Sequence, residues 1–315
     1  LMSSLESAAP GEECLESMMR RYAGTVLPAA YWEGILIPGR VRSYRETMLD
    51  RFLAQGEMFW QMKEKGGICF YFQEDIDWDA DLLNTAECLT DKEYIIYEAL
   101  VKRGASFMQP LAGLLDGEPP YDTLMSLMEK GLVCADSYVP VRQWLGREKM
   151  KKAAVRQRAN MRVKALHAGR WDIVRPVKEQ DLKSRIESCF DRCFILSRET
   201  AGICGISWQE ALSVLRIWEY TDRARRGYFV EGMSGAQFIR AEDYAAVVHM
   251  LSNPPQKLVW VNAADPVQCY GKVLPHRKDR NFLNVPGSAA AFFGGRPAAV
   301  MERQGKTLRV FEEGM

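Results

Sequence analysis

The segment Ala224-Arg225-Arg226-Gly227-Tyr228-Phe229-Val230-Glu231-Gly232 follows an apolar helical stretch and leads into Ala236-Gln237-Phe238-Ile239. An amphipathic helix that ends at an arginine-rich tip and runs straight into a short hairpin is how a winged helix presents a recognition helix and a wing to nucleic acid. The pattern recurs. Leu49 to Phe72 reads as helix, Gly56, strand Met58-Phe59-Trp60, turn Lys65-Gly66-Gly67 and strand Ile68 to Phe72. Leu124 to Val141 reads as helix, Gly131 and then the run Leu132 to Val139. The expected class is therefore α+β, an array of tandem winged-helix modules. The chain after Pro254-Pro255 adds a small β-barrel or sheet domain.

The balance of charge constrains how such an array would hold nucleic acid. With 42 basic and 41 acidic residues the net charge is only +1, so affinity has to come from local patches. At 315 residues and 47% hydrophobic, the chain can bury the cores of several small domains. Eight cysteines are scattered through apolar runs without the C-x-x-C spacing of a zinc site, and they read as reduced core thiols of a cytosolic protein. Cys189 and Cys193 stand at i and i+4, but with three histidines in the chain and none nearby in sequence, no metal site is expected. The sequence reads as having no signal peptide and no apolar run long enough to span a bilayer, so neither is expected. The chain opens on Leu1, ahead of Met2, which reads as a piece of something larger.

Turn residues and capping patterns divide the chain into an upstream remnant over 1–28, a first winged-helix-like domain over 29–84 and a second over 85–146. A basic linker follows over 147–168, a third winged helix over 169–252 and the β-barrel-like domain over 253–315. Three capping boxes mark helix starts: Ser43-Tyr44-Arg45-Glu46, Thr90-Asp91-Lys92-Glu93 and Ser207-Trp208-Gln209-Glu210. The first helix should bury Met48, Leu49, Phe52 and Leu53, and the second should run its apolar stripe through Tyr94, Ile95, Tyr97 and Leu100. Further helices are expected near 107–115 and 121–130, the latter closed by Gly131.

The third module carries the candidate interface. Its helix should bury Trp208, Ala211, Leu212, Leu215 and Trp218, which places Gln209, Ser213, Arg216 and Tyr220 in a narrow stripe on the opposite face. The stripe has groove-reading chemistry, and it is equally what an ordinary polar helix face looks like. Arg223, Arg225 and Arg226 follow at the helix end, where a planar guanidinium can grip phosphate in two places or pair with acids of a neighbouring subunit such as Glu231 and Glu242. The stretch 147–164 holds eight basic residues against one acid. Lys151, Lys152, Arg156 and Arg158 within it fit either a solvated linker or a phosphate-contacting segment.

Catalytic motifs fail on inspection. Gly305-Lys306-Thr307 has Val300 where a phosphate loop needs glycine, and a strand follows where the mechanism needs a helix N-terminus. Gly232-Met233-Ser234-Gly235 leads to Ala236 within a wing, so no nucleophile elbow is formed. Asp265, in Asn262-Ala263-Ala264-Asp265-Pro266 at the end of an apolar strand, is the remaining catalytic candidate. It can orient water or stabilise a developing cation, or it can cap its own turn.

Several blocks now read together as a resemblance. Leu27-Pro28-Ala29-Ala30-Tyr31-Trp32-Glu33, Leu36-Ile37-Pro38-Gly39-Arg40-Val41, Tyr44, Leu49-Asp50 and Gly56-Glu57-Met58-Phe59-Trp60 resemble the C-terminal region of the large helicase-related (Lhr) proteins. So do Gly169-Arg170-Trp171, the wing block from Ala224 to Gly232, Gln237-Phe238 and Ala264-Asp265-Pro266, in the same order. The resemblance covers about 27–311. It implies bacterial superfamily 2 DNA helicases with an N-terminal motor, tandem winged helices and a C-terminal β-barrel. That tail is similar to the tandem-winged-helix DNA glycosylases of the AlkZ type, and family members use it to oligomerise. This sequence has no phosphate loop and no DExH box, so ATP and Mg would belong to motor domains outside it. Nor does it carry an alignable Gln-x-Gln or Gln-x-Asp motif, which leaves Asp265 a loose analogue of the Asp-Pro of those glycosylases.

The function expected is the DNA-binding and oligomerisation region of an Lhr-type helicase working in DNA repair. It would have no cofactor of its own, single-stranded or junction DNA and the helicase core as partners, and a cytoplasmic, nucleoid-associated location. A glycosylase that flips a damaged base or uracil into the cleft beside the third module is a second reading, and a purely structural oligomerisation module a third.

Overall fold

The computed structural model describes residues 12–82, 89–149, 169–277 and 280–311. The chain divides into two units, Ala9–Glu179 and Gln180–Met315.

In the first unit, helix α1 (Glu12–Tyr22) leads through strand β1 (Leu27–Pro28) to helix α2 (Ala29–Tyr31), which widens into a π turn over Trp32–Leu36. Helix α3 (Glu46–Ala54) and strands β2 (Met58–Lys63) and β3 (Gly67–Phe72) complete a winged helix whose sheet runs β1-β3-β2. Strands β2 and β3 pair antiparallel in a register that runs from Met58 opposite Phe72 to Lys63 opposite Gly67. Beneath it lie Trp32, Trp60 and Phe70, fully buried, with the Trp32 indole donating to Ile68 O at 3.0 Å. Gly66 closes the hairpin at φ 72°, and a Cβ there would stand 2.3 Å from the Trp144 ring, so both conformation and space require glycine.

Two expectations change here. Residues 12–28 do not close a separate upstream module: Leu15, Met18, Met19 and Tyr22 are buried, and Leu27 pairs with Ile68 of the same sheet. The Ser43/Glu46 capping box does not form. Ser43 adopts φ 59°, the helix begins at Glu46 behind an extended Arg45, and the Tyr44 hydroxyl donates to Glu33 instead. A tertiary tie has overridden a local preference.

The second module comprises α4 (Asp91–Arg103), α5 (Met108–Ala112), α6 (Tyr121–Glu129), β4 (Val133–Ala135), α7 (Val139–Lys149) and β5 (Trp171–Ile173). Its capping box forms as expected, with Glu93 N donating to Thr90 Oγ1 and Thr90 N donating to Glu93 Oε2 at 2.8 Å. The helix phase differs from expectation. Ile96, Tyr97, Ala99 and Leu100 are buried, while Tyr94 and Ile95 are 45% and 42% exposed. The inward stripe is Glu93, Ile96, Tyr97 and Leu100, at i, i+3, i+4 and i+7, and its first member is a buried carboxylate held by Ser126 and Lys130. Strand β5 pairs with β4 and bridges to Ser106, so Trp171–Ile173 belong to the second module and not to the third. In chain order the basic stretch thus falls between two paired strands.

The second unit begins with another winged helix: α8 (Leu182–Cys193), β6 (Ile195–Leu196), α9 (Arg198–Ile203), α10 (Trp208–Tyr220), β7 (Ala224–Gly227) and β8 (Gln237–Arg240). Its sheet order, β6-β8-β7, repeats that of the first module. Ile186, Cys189, Phe190, Leu196, Ala201, Ala211, Leu215, Trp218 and Phe238 form one core. Ser207 precedes α10 as expected but makes no side-chain cap bond, so the third capping box is absent.

Helix α11 (Tyr244–Ser252) leads to strands β9 (Leu258–Asn262), β10 (Ala289–Phe293), β11 (Arg296–Glu302) and β12 (Thr307–Val310), an antiparallel sheet in the order β12-β11-β10-β9. The expected barrel is not closed among the described residues: β9 and β12 remain edges. Gly305-Lys306-Thr307 lies at the β11–β12 hairpin, as its failure as a phosphate loop implied. No helix among the described residues is long and apolar enough to cross a membrane.

Candidate nucleic-acid interface

Helix α10 is amphipathic in the expected phase. Ala211, Leu215 and Trp218 are buried, Trp208 and Leu212 pack half-buried against the same core, and Gln209, Ser213, Arg216 and Tyr220 are exposed on the other side. Tyr220 is 92% exposed at the end of that stripe, an aromatic face offered to solvent. Ser213 Oγ donates back to Glu210 O at 2.7 Å, which leaves its lone pairs as the outward group.

The hairpin brings the arginines to the end of this helix, with Arg225 opposite Ile239 and Arg226 opposite Phe238. The three cations are not equivalent. Arg223 lies 4.5 Å over the Trp218 ring and 3.0 Å from Glu187, a brace between the helix end and α8. Arg225 reaches Asp222 at 3.2 Å and Arg226 reaches Glu219 at 3.2 Å, in pairs whose members are all at least one-third exposed. Such surface pairs contribute about 0–1 kcal/mol, so a phosphate can displace either acid. The partner acids are Glu187, Glu219 and Asp222 of the chain itself. Of the two acids considered from a neighbouring subunit, Glu242 lies 3.6 Å from Arg240.

Two contributors were not among the expected interface residues. Gln237, 1% exposed, accepts from Phe229 N and Val230 N at 2.9 and 2.8 Å and donates to Val230 O at 2.9 Å, which locks the path of the wing. A lone amide between apolar strand residues was its signal. Tyr228, 84% exposed beyond the arginines, adds a second open aromatic. Nearby, Ser234 is spoken for: its amide donates to Glu199 Oε1 at 2.9 Å and its hydroxyl to the same oxygen. Burial works to raise the Glu199 carboxyl, but these bonds outweigh it and hold the group below its usual range.

Lys151, Lys152, Arg156 and Arg158 lie outside the described residues. Arg147, at the start of that stretch, pairs with Asp122 at 2.7 Å and covers the Tyr121 ring at 4.6 Å, engaged with its own module.

Asp265 sits in a turn. It is 3% exposed, its Oδ1 accepts from Val267 N at 3.1 Å, and its carbonyl accepts from Gln268 N at 3.0 Å and from Lys272 Nζ at 2.7 Å. Burial lowers the Lys272 ammonium, against the opposing charge of Asp265. This is the geometry of a carboxylate capping its own backbone. A cavity of about 710 Å³ opens in the same unit between the wing and the sheet domain, lined among others by Phe229, Glu231, Tyr270, His276, Arg277 and Arg296, and Asp265 is not part of its wall.

Comparison with known proteins supplies the family. Residues 3–73 match a family model described as "Large helicase-related protein, winged-helix domain", and residues 175–258 match a second model of the same description. A protein of Mycolicibacterium smegmatis named "Lhr helicase/ probable uracil glycosylase" is 30% identical over 344 residues, covering 96% of this chain and 22% of the relative. An Escherichia coli protein named "Lhr helicase/uracil glycosylase" is 26% identical over 358 residues, covering 98% of this chain and 23% of the relative. The chain thus spans less than a quarter of the length of the curated relatives it matches.

Proposed function

The chain belongs to the large helicase-related family and corresponds to its C-terminal region, and from that premise we propose that it is the DNA-binding and oligomerisation region of a bacterial Lhr-type ATP-dependent DNA helicase acting in repair. The observation that carries this reading is the continuity of the exposed α10 stripe with Arg225 and Arg226 on the wing. Helix and wing address one duplex or junction together, with phosphate contacts setting the register and Tyr220 and Tyr228 available to stack on unpaired bases. ATP and Mg act in the motor of the longer polypeptide, which is also its partner, and the location is cytoplasmic, at the nucleoid. A fluorescence-anisotropy titration with single-stranded and junction DNA at two salt concentrations tests this. Binding that weakens with salt supports it, and absence of binding leaves the purely structural module.

Self-association is favoured by the second unit's sheet. Strand register puts Leu258, Trp260, Met301, Leu308 and Val310 on one face, each 37–60% exposed. A contiguous apolar face of this kind suits a protein contact.

A second reading, base excision, is favoured by the cavity beside the wing, which offers Tyr270 to stack on a flipped base and Arg277 and Arg296 for its phosphates. Both relatives carry uracil glycosylase in their names. Incubation with uracil- or alkyl-containing oligonucleotides followed by alkali separates this reading from the others: strand scission at the lesion supports it.

A further inference from the structure

Cys189 and Cys193 lie four residues apart on α8, which brings both thiols to one face of the helix. Cys204 follows the last turn of α9, its amide donating to Thr200 O at 3.1 Å, and the packing of α9 on α8 carries its side chain to theirs. All three cysteines between Gln180 and Leu258 therefore converge on one point, although the rest of that core is hydrocarbon and aromatic. Their sulfurs lie within 4.8 Å of one another, with Cys189 and Cys204 at 2.6 Å. Cys189 is fully buried and the other two reach a partly covered edge.

This convergence suits one ion. Zinc–sulfur bonds of about 2.3 Å place tetrahedral thiolates roughly 3.8 Å apart, so Cys189 and Cys204, at 2.6 Å, have to open by about 1 Å through side-chain rotation to share a single centre with Cys193. An all-sulfur donor set selects thiophilic ions over magnesium or calcium. Among the described residues no histidine or carboxylate joins the cluster, which leaves a fourth position on the exposed side.

We propose that Cys189, Cys193 and Cys204 form a three-thiolate site for a single Zn²⁺ ion, its fourth position taken by water, that clasps α8 to α9. The clasp fixes the platform on which α10 is presented. Binding releases the three thiol protons to solvent and requires no oxidant.

The test uses the untagged chain, purified under reducing conditions without chelator, with metal measured by mass spectrometry. One zinc per chain is expected, and Co²⁺ exchanged into it should show thiolate-to-cobalt charge-transfer absorption. Cys193→Ser and Cys204→Ser should each weaken zinc affinity by at least about tenfold and lower the melting temperature, while Cys269→Ser retains the metal. Because the wild-type stoichiometry is decisive alone, a variant that fails to fold does not decide the matter. A reduced wild-type chain that takes up no zinc overturns the proposal, as does undiminished zinc in folded Cys204→Ser or a Cys189–Cys204 disulfide in the reduced preparation.

Discussion

Arg226 Nε on the wing lies 3.2 Å from Glu219 Oε1 in the last turn of α10. The pair ties α10 to the hairpin, and on the DNA-binding reading it sets a competition: a phosphate that takes Nε of Arg226 displaces Glu219. Arg225 and Asp222 stand in the same relation.

Removing the cations and removing the competitor should therefore act in opposite directions. Arg225→Ala/Arg226→Ala is expected to weaken DNA binding by about 1–3 kcal/mol per lost contact and to leave the fold intact. Glu219→Gln should tighten binding and steepen the salt dependence by about one charge. Anisotropy and sedimentation on the same preparations decide the matter. Loss of assembly with intact affinity would instead assign these arginines to subunit contacts.

Trp218 is 3% exposed, stacked on Phe190 at 6.4 Å with an interplanar angle of 24°, and covered by the Arg223 guanidinium. Trp218→Ala should destabilise the module by about 3–5 kcal/mol, as a large cavity opens between α8 and α10. A thermal melt checks this, and an unchanged midpoint would mean that this face of α10 carries no core.

The basic stretch 147–164 makes a separate, electrostatic prediction. If Lys151, Lys152, Arg156 and Arg158 neutralise phosphates, replacing all four by glutamine should reduce the slope of log affinity against log salt by up to about four. An unchanged slope would place the stretch off the DNA path.

What the sequence revealed divides along physical lines. Patterns set by local periodicity were legible: the α10 stripe, the Thr90 capping box, the β7–β8 wing and the hairpin at Gly305. Features decided by tertiary contact were not. Glu93 hid the phase of α4, because a charged residue is not counted in an apolar stripe until Ser126 and Lys130 are seen to satisfy it. Ser43 lost its capping role once the Tyr44 hydroxyl was bound to Glu33. Cys204 joined Cys189 and Cys193 through helix packing, which no spacing rule encodes. Asp265 is seen to cap its own turn through the hydrogen bond from Val267 N, a contact that sequence alone offered only as one of two readings.

Glu93 also predicts a pH dependence. Burial works to raise its carboxyl, but bonds from Lys130, Ser126 and Thr90 outweigh it and hold the group down to about 2, against an ordinary 4.5. Since the folded value is the lower one, the stabilisation is complete above about 4.5 and is lost as pH falls toward 2. Lys130 is one-third exposed, so solvent screening limits the effect to about 1–2 kcal/mol. Glu93→Gln should remove this part of the acid transition, as read from melting temperatures between pH 5 and 2.

Arg142 predicts a large electrostatic effect on stability. From α7 it donates to Glu33 through Nε at 2.7 Å and Nη2 at 2.8 Å, and to Asp50 through Nη1 at 2.8 Å, joining α7 to the π turn and to α3. The side chains of Arg142 and Glu33 are only 18% and 15% exposed, so the charges are mostly withdrawn from water and depend on one another. Burial alone would lower the guanidinium, yet its carboxylate partners raise it above its usual range. Removing the arginine leaves two acids close together without a counter-charge, a loss of about 3–5 kcal/mol for a pair of this burial. Arg142→Met keeps the packing volume and isolates that electrostatic cost. Its melting temperature should fall well below that of Arg147→Met, because Arg147 and Asp122 are 34% and 58% exposed and solvent already screens them. Equal midpoints for the two variants would show that the Arg142 network contributes no more than a surface pair.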